Sequence, residues 1–590
     1  MLANELGLHP LTAQLLLNRG ITSRTAALRF LAPSLEGLED PFRLPDMAPA
    51  VDRLRRAVMK QEPILIFGDS DVDGLTASVI LYEVLREQGA VVRARQSNRI
   101  ADGFGLPRAF ARRIARSATK LLILVDCGTN QAEDVQFLAE HGIETIIVDH
   151  HVPLDGWARP YALINPHRAQ GLGRPHASRV GTPFAHPADG GVPGLGRELC
   201  SAGLAFKVAQ ALLDGRVGGL APYLDVASLG TLADCAPLLG ENRIILTEGL
   251  PRVVRSHRPG LRRLCDATRT TEPDPEHILR RLTPRLNASG RLGDASAAWR
   301  LLLGERDQPF EEWMATTAAA HTATKGLHRR MIAEAQEQVN RLHFRDQLVM
   351  VVSSEGWHRG LVGPLAAQLA ERYGRPAIAI AVEQHQGVGS GRSIPLFNLL
   401  EALRACQGLL VRFGGHAQAC GLTVDRKNLE PFRTIVNRHA HESLGREGLI
   451  RTRVVDLELP LGAVAPQWVQ EIERFAPFGQ GNPRPTVMIR RLTVTLKSPR
   501  TAILSDGKTH VVGKGTFSAC LSPACDVPGT ALGSEGRYDV VASPALVEGE
   551  LVLMVSEARG ARPTANSPVS ESAPWGPART SDRRCTPEAV

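Results

Sequence analysis

Three aspartates at alternate positions, Asp69, Asp71 and Asp73, crowd the segment Gly68-Asp69-Ser70-Asp71-Val72-Asp73-Gly74. Carboxylates this close repel one another and raise each other's pKa unless a cation sits among them, so the spacing points to a divalent metal. A calcium-binding helix-loop-helix would want a preceding helix and Glu at its twelfth position. Here the apolar run Ile64-Leu65-Ile66-Phe67 precedes the acids, and the twelfth residue from Asp69 is Ile80. The run from Thr76 to Leu85 has helical spacing, so the acids lie on a strand-to-helix turn whose free N–H groups suit a phosphate. Further donors follow other apolar runs: Asp126 after Leu121–Val125, Asp149-His150-His151 after Thr145–Val148, and Asp234 after Ser228–Leu232. One His after a strand is commonly structural; two after an Asp allow the carboxylate to orient one imidazole while the other faces a ligand. An oxygen-rich set supplemented by His suits Mn²⁺ or Mg²⁺ better than structural zinc.

Those donors need a frame that collects strand ends. From Ile64 to about Leu250 strands alternate with helix-length segments: Val91–Arg95, Leu121–Val125, Thr145–Val148 and Tyr161–Ile164, the last followed by Asn165. Such alternation predicts a parallel sheet covered on both faces, with ligands at the carboxyl ends of its strands. Residues 1–50 predict short helices around Leu11–Leu17 and Ala26–Leu31 with Ser23 as N-cap. The Ala-, Glu-, Gln- and Arg-rich stretch 310–342 predicts a long helix, and a second α/β pattern follows: strand Leu348–Val352, helix Leu365–Glu371, strand Ala377–Ala381. Short strand candidates at Val487–Ile489, Leu492–Val494, Tyr538–Val541 and Leu551–Val555 predict a small barrel. The Gly-, Pro- and His-rich residues 168–197 are expected to form an inserted loop and residues 561–590 a disordered tail.

The 590 residues carry 69 Lys and Arg against 61 Asp and Glu, a net charge of +8 that suits a polyanionic partner. Nine cysteines without a CxxC pair argue against a disulfide framework. No stretch reaches transmembrane length and the N-terminus lacks the signal-peptide pattern, so a cytoplasmic protein without membrane contact is expected.

The order of Asp-rich strand end, single Asp, Asp149-His150-His151 and Asp234 loop resembles the DHH phosphoesterase superfamily. Arg285–Gly293, Glu355–Gly360, Gly389–Ser393, Phe413–Gly421 and Pro477–Pro483, with Glu5–Pro10 and Asn18–Gly20, resemble its bacterial single-strand-specific 5′→3′ exonucleases, from about residue 1 to about 490. That resemblance implies a helical segment over 1–50, a DHH catalytic domain over 51–305, a connecting helix over 306–346 and a smaller DHHA1 domain over 347–445. An OB-like domain over 446–560 would follow, within which residues 499–560 hold only Phe517 and Tyr538 as aromatics and so offer little for strand gripping by stacking.

The resemblance further implies two ions held by Asp71, Asp73, Asp126, His150 and Asp234, with Asp69 and Asp149 supporting. His151, Asn287 and Arg291 would neutralise the phosphoryl group; Arg99, Trp357, His358, Ser390, Arg392 and His416 would contact the nucleotide. Some superfamily members carry a ligating His where this chain has Phe67. Single-stranded DNA would be the substrate, in DNA repair and recombination, with a helicase and a single-strand-binding protein as partners. Two other readings stay open: a phosphodiesterase acting on short oligonucleotides or cyclic dinucleotides, and a non-catalytic DNA-binding relative.

Overall fold

A computed structural model describes residues 2–101, 103, 105–168, 198–305, 308–344, 347–444, 454–498, 501–510, 513–526, 537–547 and 550–560. The expected inserted loop, apart from Arg168, and the expected tail lie outside the described residues.

Strands β1 (Ile64–Gly68), β2 (Val92–Gln96), β3 (Leu121–Val125), β4 (Glu144–Val148) and β5 (Ala162–Ile164) form a wholly parallel sheet in the order β2-β1-β3-β4-β5. Every residue of β3 is buried, as an apolar strand covered on both faces must be. Helices Val72–Glu87, Ser201–Leu212 and Leu224–Ala233 bury their apolar residues with one face, in a core that includes Ile66, Ile123, Leu204 and Leu229. Phe67, Ile114, Leu124, Val135 and Leu138 form the core on the other. In this strand order the direction in which successive strands are added reverses between β1 and β3, the place where open α/β sheets leave a crevice for ligands. Asp69 and Asp126 each directly follow one of those two strands.

The N-terminal helices are present as Pro10–Asn18 and Arg24–Leu31, and Ser23 caps the second by accepting from Ala26 N at 3.2 Å. The long helix spans Phe310–Asn340. A second sheet, β6 (Met350–Ser354), β7 (Ala377–Glu383), β8 (Gln386–Arg392), β9 (Leu410–His416) and β10 (Ala419–Asp425), has the order β6-β7-β8-β10-β9, with only β6 and β7 parallel. Strand β6 starts two residues later than its apolar run predicts, because Val349 N donates to Asn437 Oδ1 at 2.9 Å instead of to a neighbouring strand.

Met1–Asp456 with Gln470–Pro485 form one compact unit; Leu457–Val469 with Thr486–Val590 form another. The expected 446–560 boundary therefore differs, because Gln470–Pro485 is claimed by the first unit. Arg243 there donates to the carbonyls of Phe475 and Arg474 at 2.7 and 3.1 Å, and Arg19 pairs with Asn482. In the second unit β11 (Leu457–Glu458), β12 (Val487–Ser498), β13 (Thr501–His510), β14 (Gly513–Asp526), β15 (Arg537–Val547) and β16 (Glu550–Gly560) form one sheet that the β12–β15 pairing closes into a barrel. Strands β13 and β14 escape a sequence reading because Gly, Ser, Asp and Pro interrupt their alternation. Among the described residues no helix is long and apolar enough to cross a membrane.

One buried cation braces the domain built on the parallel sheet. Arg258, fully buried, donates to Asp225 at 3.1 Å, Glu83 at 2.7 Å and the Leu302 carbonyl at 2.8 Å. Arg258→Ala leaves Asp225 buried without its cation, a change that costs about 3–5 kcal/mol. A melting temperature equal to wild type in a thermal scan would contradict that assignment.

Candidate metal centre and the cationic face opposite

The turn after β1 is tight. Asp71 caps helix Val72–Glu87 by accepting from Gly74 N at 3.2 Å, and a Cβ on Gly74 would lie 2.6 Å from the Asp69 carbonyl oxygen. Asp69, buried, accepts from Ser97 Oγ at 2.8 Å and pairs with Arg99, which also lies 3.6 Å from Asp71. Asp73 points to the first turn of helix Ser201–Leu212 and accepts from Ser201 N at 2.8 Å and Ala202 N at 2.7 Å. Asp126 stands in the left-handed region with φ 59° and accepts from Ser201 Oγ at 2.9 Å.

After β4, Asp149 accepts from Thr129 N at 3.1 Å and holds His151 Nδ1 at 2.7 Å. His150 fills the middle: Nε2 lies 3.5 Å from Asp126 and 3.8 Å from Asp73, and Nδ1 lies 3.9 Å from Asp234. Three donor sets, each with its ligand atoms within 4.8 Å of one another, result: Asp126, His150 and His151; Asp73, His150 and Asp234; Asp69, Asp71 and Asp126. All five residues expected to be ligands meet here. Asp69 joins them as a candidate donor, whereas Asp149 orients His151. Phe67 is fully buried in the core, so nothing ligates from that position.

The electrostatics fit a divalent cation. Burial, then Asp73 and Asp71, raise the Asp126 carboxyl well above its ordinary value. Removal from water and Asp69 raise Asp71; removal from water and Asp73 push Asp234 up to about 7. Burial alone would lift Asp149 and lower both histidines, but Asp149 is held down by His151, His150 rises well above the imidazole range through Asp126 and Asp234, and His151 rises to about 9 through Asp149. A cation placed among these oxygens would relieve the repulsion that the raised carboxyls register.

Across from the acids stand arginines. Helix Thr283–Leu292 packs on the acidic turn so closely that a Cβ on Gly290 would lie 2.2 Å from the Ser70 carbonyl oxygen. Asn287 accepts from Val72 N at 3.0 Å, so its carboxamide oxygen holds the turn. Arg291 is lowered by burial, then by Arg99 and also by Arg392, with Asp71 opposing. In the second sheet Arg392 donates to Ser390 Oγ at 3.1 Å and the Gly391 carbonyl at 2.9 Å. A Cβ on Gly363, at the start of helix Val362–Tyr373, would lie 3.4 Å from Ser390 Oγ and 3.6 Å from Arg392 Nη2, so the helix N-terminus opens onto both. His416 is lowered by burial, then by Arg392, His151 and His150, which puts its ring within electrostatic reach of the DHH pair.

Two residues expected to contact the nucleotide also make contacts within the protein. Trp357 is buried in the core beside the long helix and its indole N–H donates to Glu334 at 2.7 Å, because packing turns the ring inward. His358 Nδ1 accepts from Gly360 N at 3.2 Å and caps the turn Arg359–Leu361. Sequence reasoning missed Ser97, Ser201 and Arg359. Arg359 donates to the Ile100 carbonyl and so ties the second sheet's domain to the Arg99 loop. An Arg in the same motif as His358 was the available signal; for the serines there was none.

Residues 63–231 match the model described as the DHH family, N-terminal domain, residues 346–442 the DHHA1 domain, and residues 455–511 the RecJ OB domain. The single-stranded-DNA-specific exonuclease RecJ of Bacillus subtilis (strain 168) is 33% identical over 514 residues, covering 86% of this chain and 62% of the relative. The protein of the same name from Dickeya dadantii (strain 3937) is 32% identical over 490 residues, 77% of this chain and 80% of the relative. The crystal structure of RecJ in complex with Mn²⁺ from Thermus thermophilus superposes with a TM-score of 0.76 at 26% identity, covering 96% of this chain and 78% of that one. The chain spans 62% and 63% of the length of the Bacillus and Thermus relatives.

The shifts of Asp234 and His151 give stability a sign with pH. Asp234 keeps a proton up to about pH 7 that an unfolded carboxyl releases near its ordinary value, so its contribution favours folding increasingly as pH falls below about 7. His151, raised to about 9, contributes fully below the ordinary imidazole value and loses that contribution as pH rises through about 9. Both run the same way: chelator-treated protein should melt at lower temperature at pH about 9.5 than at about 6, and His151→Ala should flatten the alkaline limb. A melting temperature constant across that interval in differential scanning fluorimetry would contradict these shifts.

Proposed function

The chain belongs to the RecJ family within the DHH phosphoesterases, and from that premise we propose that it is a 5′→3′ exonuclease that hydrolyses single-stranded DNA to 5′-mononucleotides. The observation that carries the reading is the opposition of two charged faces: Asp126, His150 and His151 at the sheet end, and Arg392 with His416 from the second sheet. Asp71, Asp73, Asp126, His150 and Asp234 would hold two Mn²⁺ or Mg²⁺ ions, with Asp69 within reach. Bound there, such ions supply hydroxide at neutral pH and neutralise the entering and leaving oxygens of an in-line displacement.

The protein's own groups do the rest. His151, cationic and fixed by Asp149, presents its other ring nitrogen to the phosphoryl oxygens or to the departing 3′ oxygen as a proton donor. Arg291 and Arg99 add fixed positive charge on the same side. Ser390, Arg392 and the N-terminus of helix Val362–Tyr373 form a cradle for the terminal 5′ phosphate, which would set where the strand stops and hence how far from its end it is cut. DNA repair and recombination in the cytoplasm, with a helicase and a single-strand-binding protein supplying unpaired strand, is the setting this activity fits.

Asp71→Ala should lower Mn²⁺-dependent digestion of labelled single-stranded DNA by roughly 10³-fold while the circular dichroism spectrum stays that of wild type. Wild-type rates in that variant would end the proposal. Arg392→Ala should cost about 10–100-fold on 5′-phosphorylated strands and much less on 5′-hydroxyl strands. Equal losses on both substrates would remove Arg392 from the phosphate cradle.

A further inference from the structure

Helix Ser201–Leu212 begins without a side-chain cap of its own; Cys200 in the N-cap position makes none. Its first amides, which any helix leaves unsatisfied, are donated instead to a residue 128 positions away: Ser201 N to Asp73 Oδ2 at 2.8 Å and Ala202 N to Asp73 Oδ1 at 2.7 Å. The Ser201 hydroxyl, on a residue with no exposure, donates to Asp126 Oδ1 at 2.9 Å. One residue thus grips two carboxylates, one from the first turn of helix Val72–Glu87 and one from the loop after β3.

Both carboxylates need such a grip. Asp126 has φ 59°, a backbone state that side chains other than Gly rarely adopt and that persists only where the surroundings hold it. Its N–H donates to the Val148 carbonyl at 3.0 Å, which fixes the main chain but leaves χ1 free. Asp73 sits in the first turn of helix Val72–Glu87, where nothing in that helix's own backbone fixes the carboxylate plane. The space around it is made by Gly230, whose Cβ, if present, would lie 2.2 Å from Thr76 Oγ1, 2.4 Å from Ala202 Cβ and 3.3 Å from Asp73 Oδ1. The helix end therefore sits against the acids as closely as a glycine neighbour permits.

We propose that Ser201 is a positioning residue of the metal centre: through its N–H and its hydroxyl it sets the planes of Asp73 and Asp126, so that each turns a free oxygen lone pair toward His150 and the ion. The helix N-terminus adds partial positive charge that offsets the repulsion between the two acids without occupying the cation's place. This rests on the reading that Asp73 and Asp126 ligate a divalent ion.

The test is Mn²⁺ binding to the full-length, metal-stripped protein, read by the electron paramagnetic resonance of free Mn²⁺, with no turnover involved. Ser201→Ala should weaken binding about 10-fold. Ser228→Ala is the control. It removes an equally buried hydroxyl, bonded at 2.9 Å to the Ile245 carbonyl, from a neighbouring helix, and should leave Mn²⁺ affinity as in wild type. Wild-type affinity in Ser201→Ala would overturn the assignment, and so would equal weakening in both variants, which would mark a general loss of packing. Absence of Mn²⁺ binding by the wild-type protein would instead remove the metal reading, and this inference with it.

Discussion

Repulsion among buried carboxylates is the constraint around which the rest of the parallel-sheet domain is arranged. Asp69, Asp73, Asp126 and Asp149 are each at most 3% exposed and converge on one end of one sheet. Two like charges 4 Å apart interact by about 4 kcal/mol at an effective dielectric of 20, a large fraction of the stability of an ordinary domain. Each acid consequently has its own donor. Ser97 and Arg99 serve Asp69, the amides of Ser201 and Ala202 serve Asp73, Ser201 Oγ serves Asp126, and Thr129 with His151 serves Asp149. Those donors come from loops and helix ends spread over more than a hundred residues, so the site exists only when the whole domain is folded.

The arrangement also explains why the acids lie on a parallel sheet. The reversal of strand order between β1 and β3 leaves two parallel strand ends side by side with no crossover helix between them. The acids then need backbone close by, because N–H groups are the densest source of donors. That proximity is what Gly74, Gly230 and Gly290 provide: a Cβ at any of them would fall within 2.6 Å of a neighbouring atom. Electrostatics and packing thus impose one requirement, bare backbone near charged side chains.

Much of this was legible in the order of residues. Apolar runs ending in Asp or His gave the strand ends, because a strand buried on both faces must be continuously apolar and a ligand must follow it. Ser23 as a cap and the long helix from Phe310 followed from local rules. Contacts decided by tertiary packing were not legible. Ser201 touches Asp126 across 75 positions, and no spacing rule connects them. Trp357 stands in a motif beside His358 and Arg359, yet ring packing against the long helix, not motif membership, determines where it points. Asn287 holds Val72 N through its carboxamide oxygen across 215 positions, a contact that no local rule announces. Residues 470–485 read as the start of the C-terminal barrel because they adjoin it in sequence; the buried Arg19 and Arg243 draw them into the first unit.

The cationic face carries the opposite imbalance. Arg99, Arg291 and Arg392 lie close enough for Arg99 to disfavour the charge on each of the other two, after burial has already done so. Of these three, among the described residues, Arg99 alone forms ion pairs with acids, Asp69 and Asp71. Guanidiniums cannot shed their protons at neutral pH, so the surplus has to be met by an anion from outside. The surplus negative charge at the sheet end calls for cations in the same way. A phosphate accompanied by divalent ions satisfies both faces at once, whereas either guest alone leaves one face unmatched. Their spacing therefore has to be fixed independently of any guest. Arg359 on the Ile100 carbonyl does so on one side, and on the other Gly360 packs so that a Cβ would lie 2.2 Å from the Arg291 carbonyl oxygen. These contacts hold the two domains together at the main-chain carbonyls of Ile100 and Arg291.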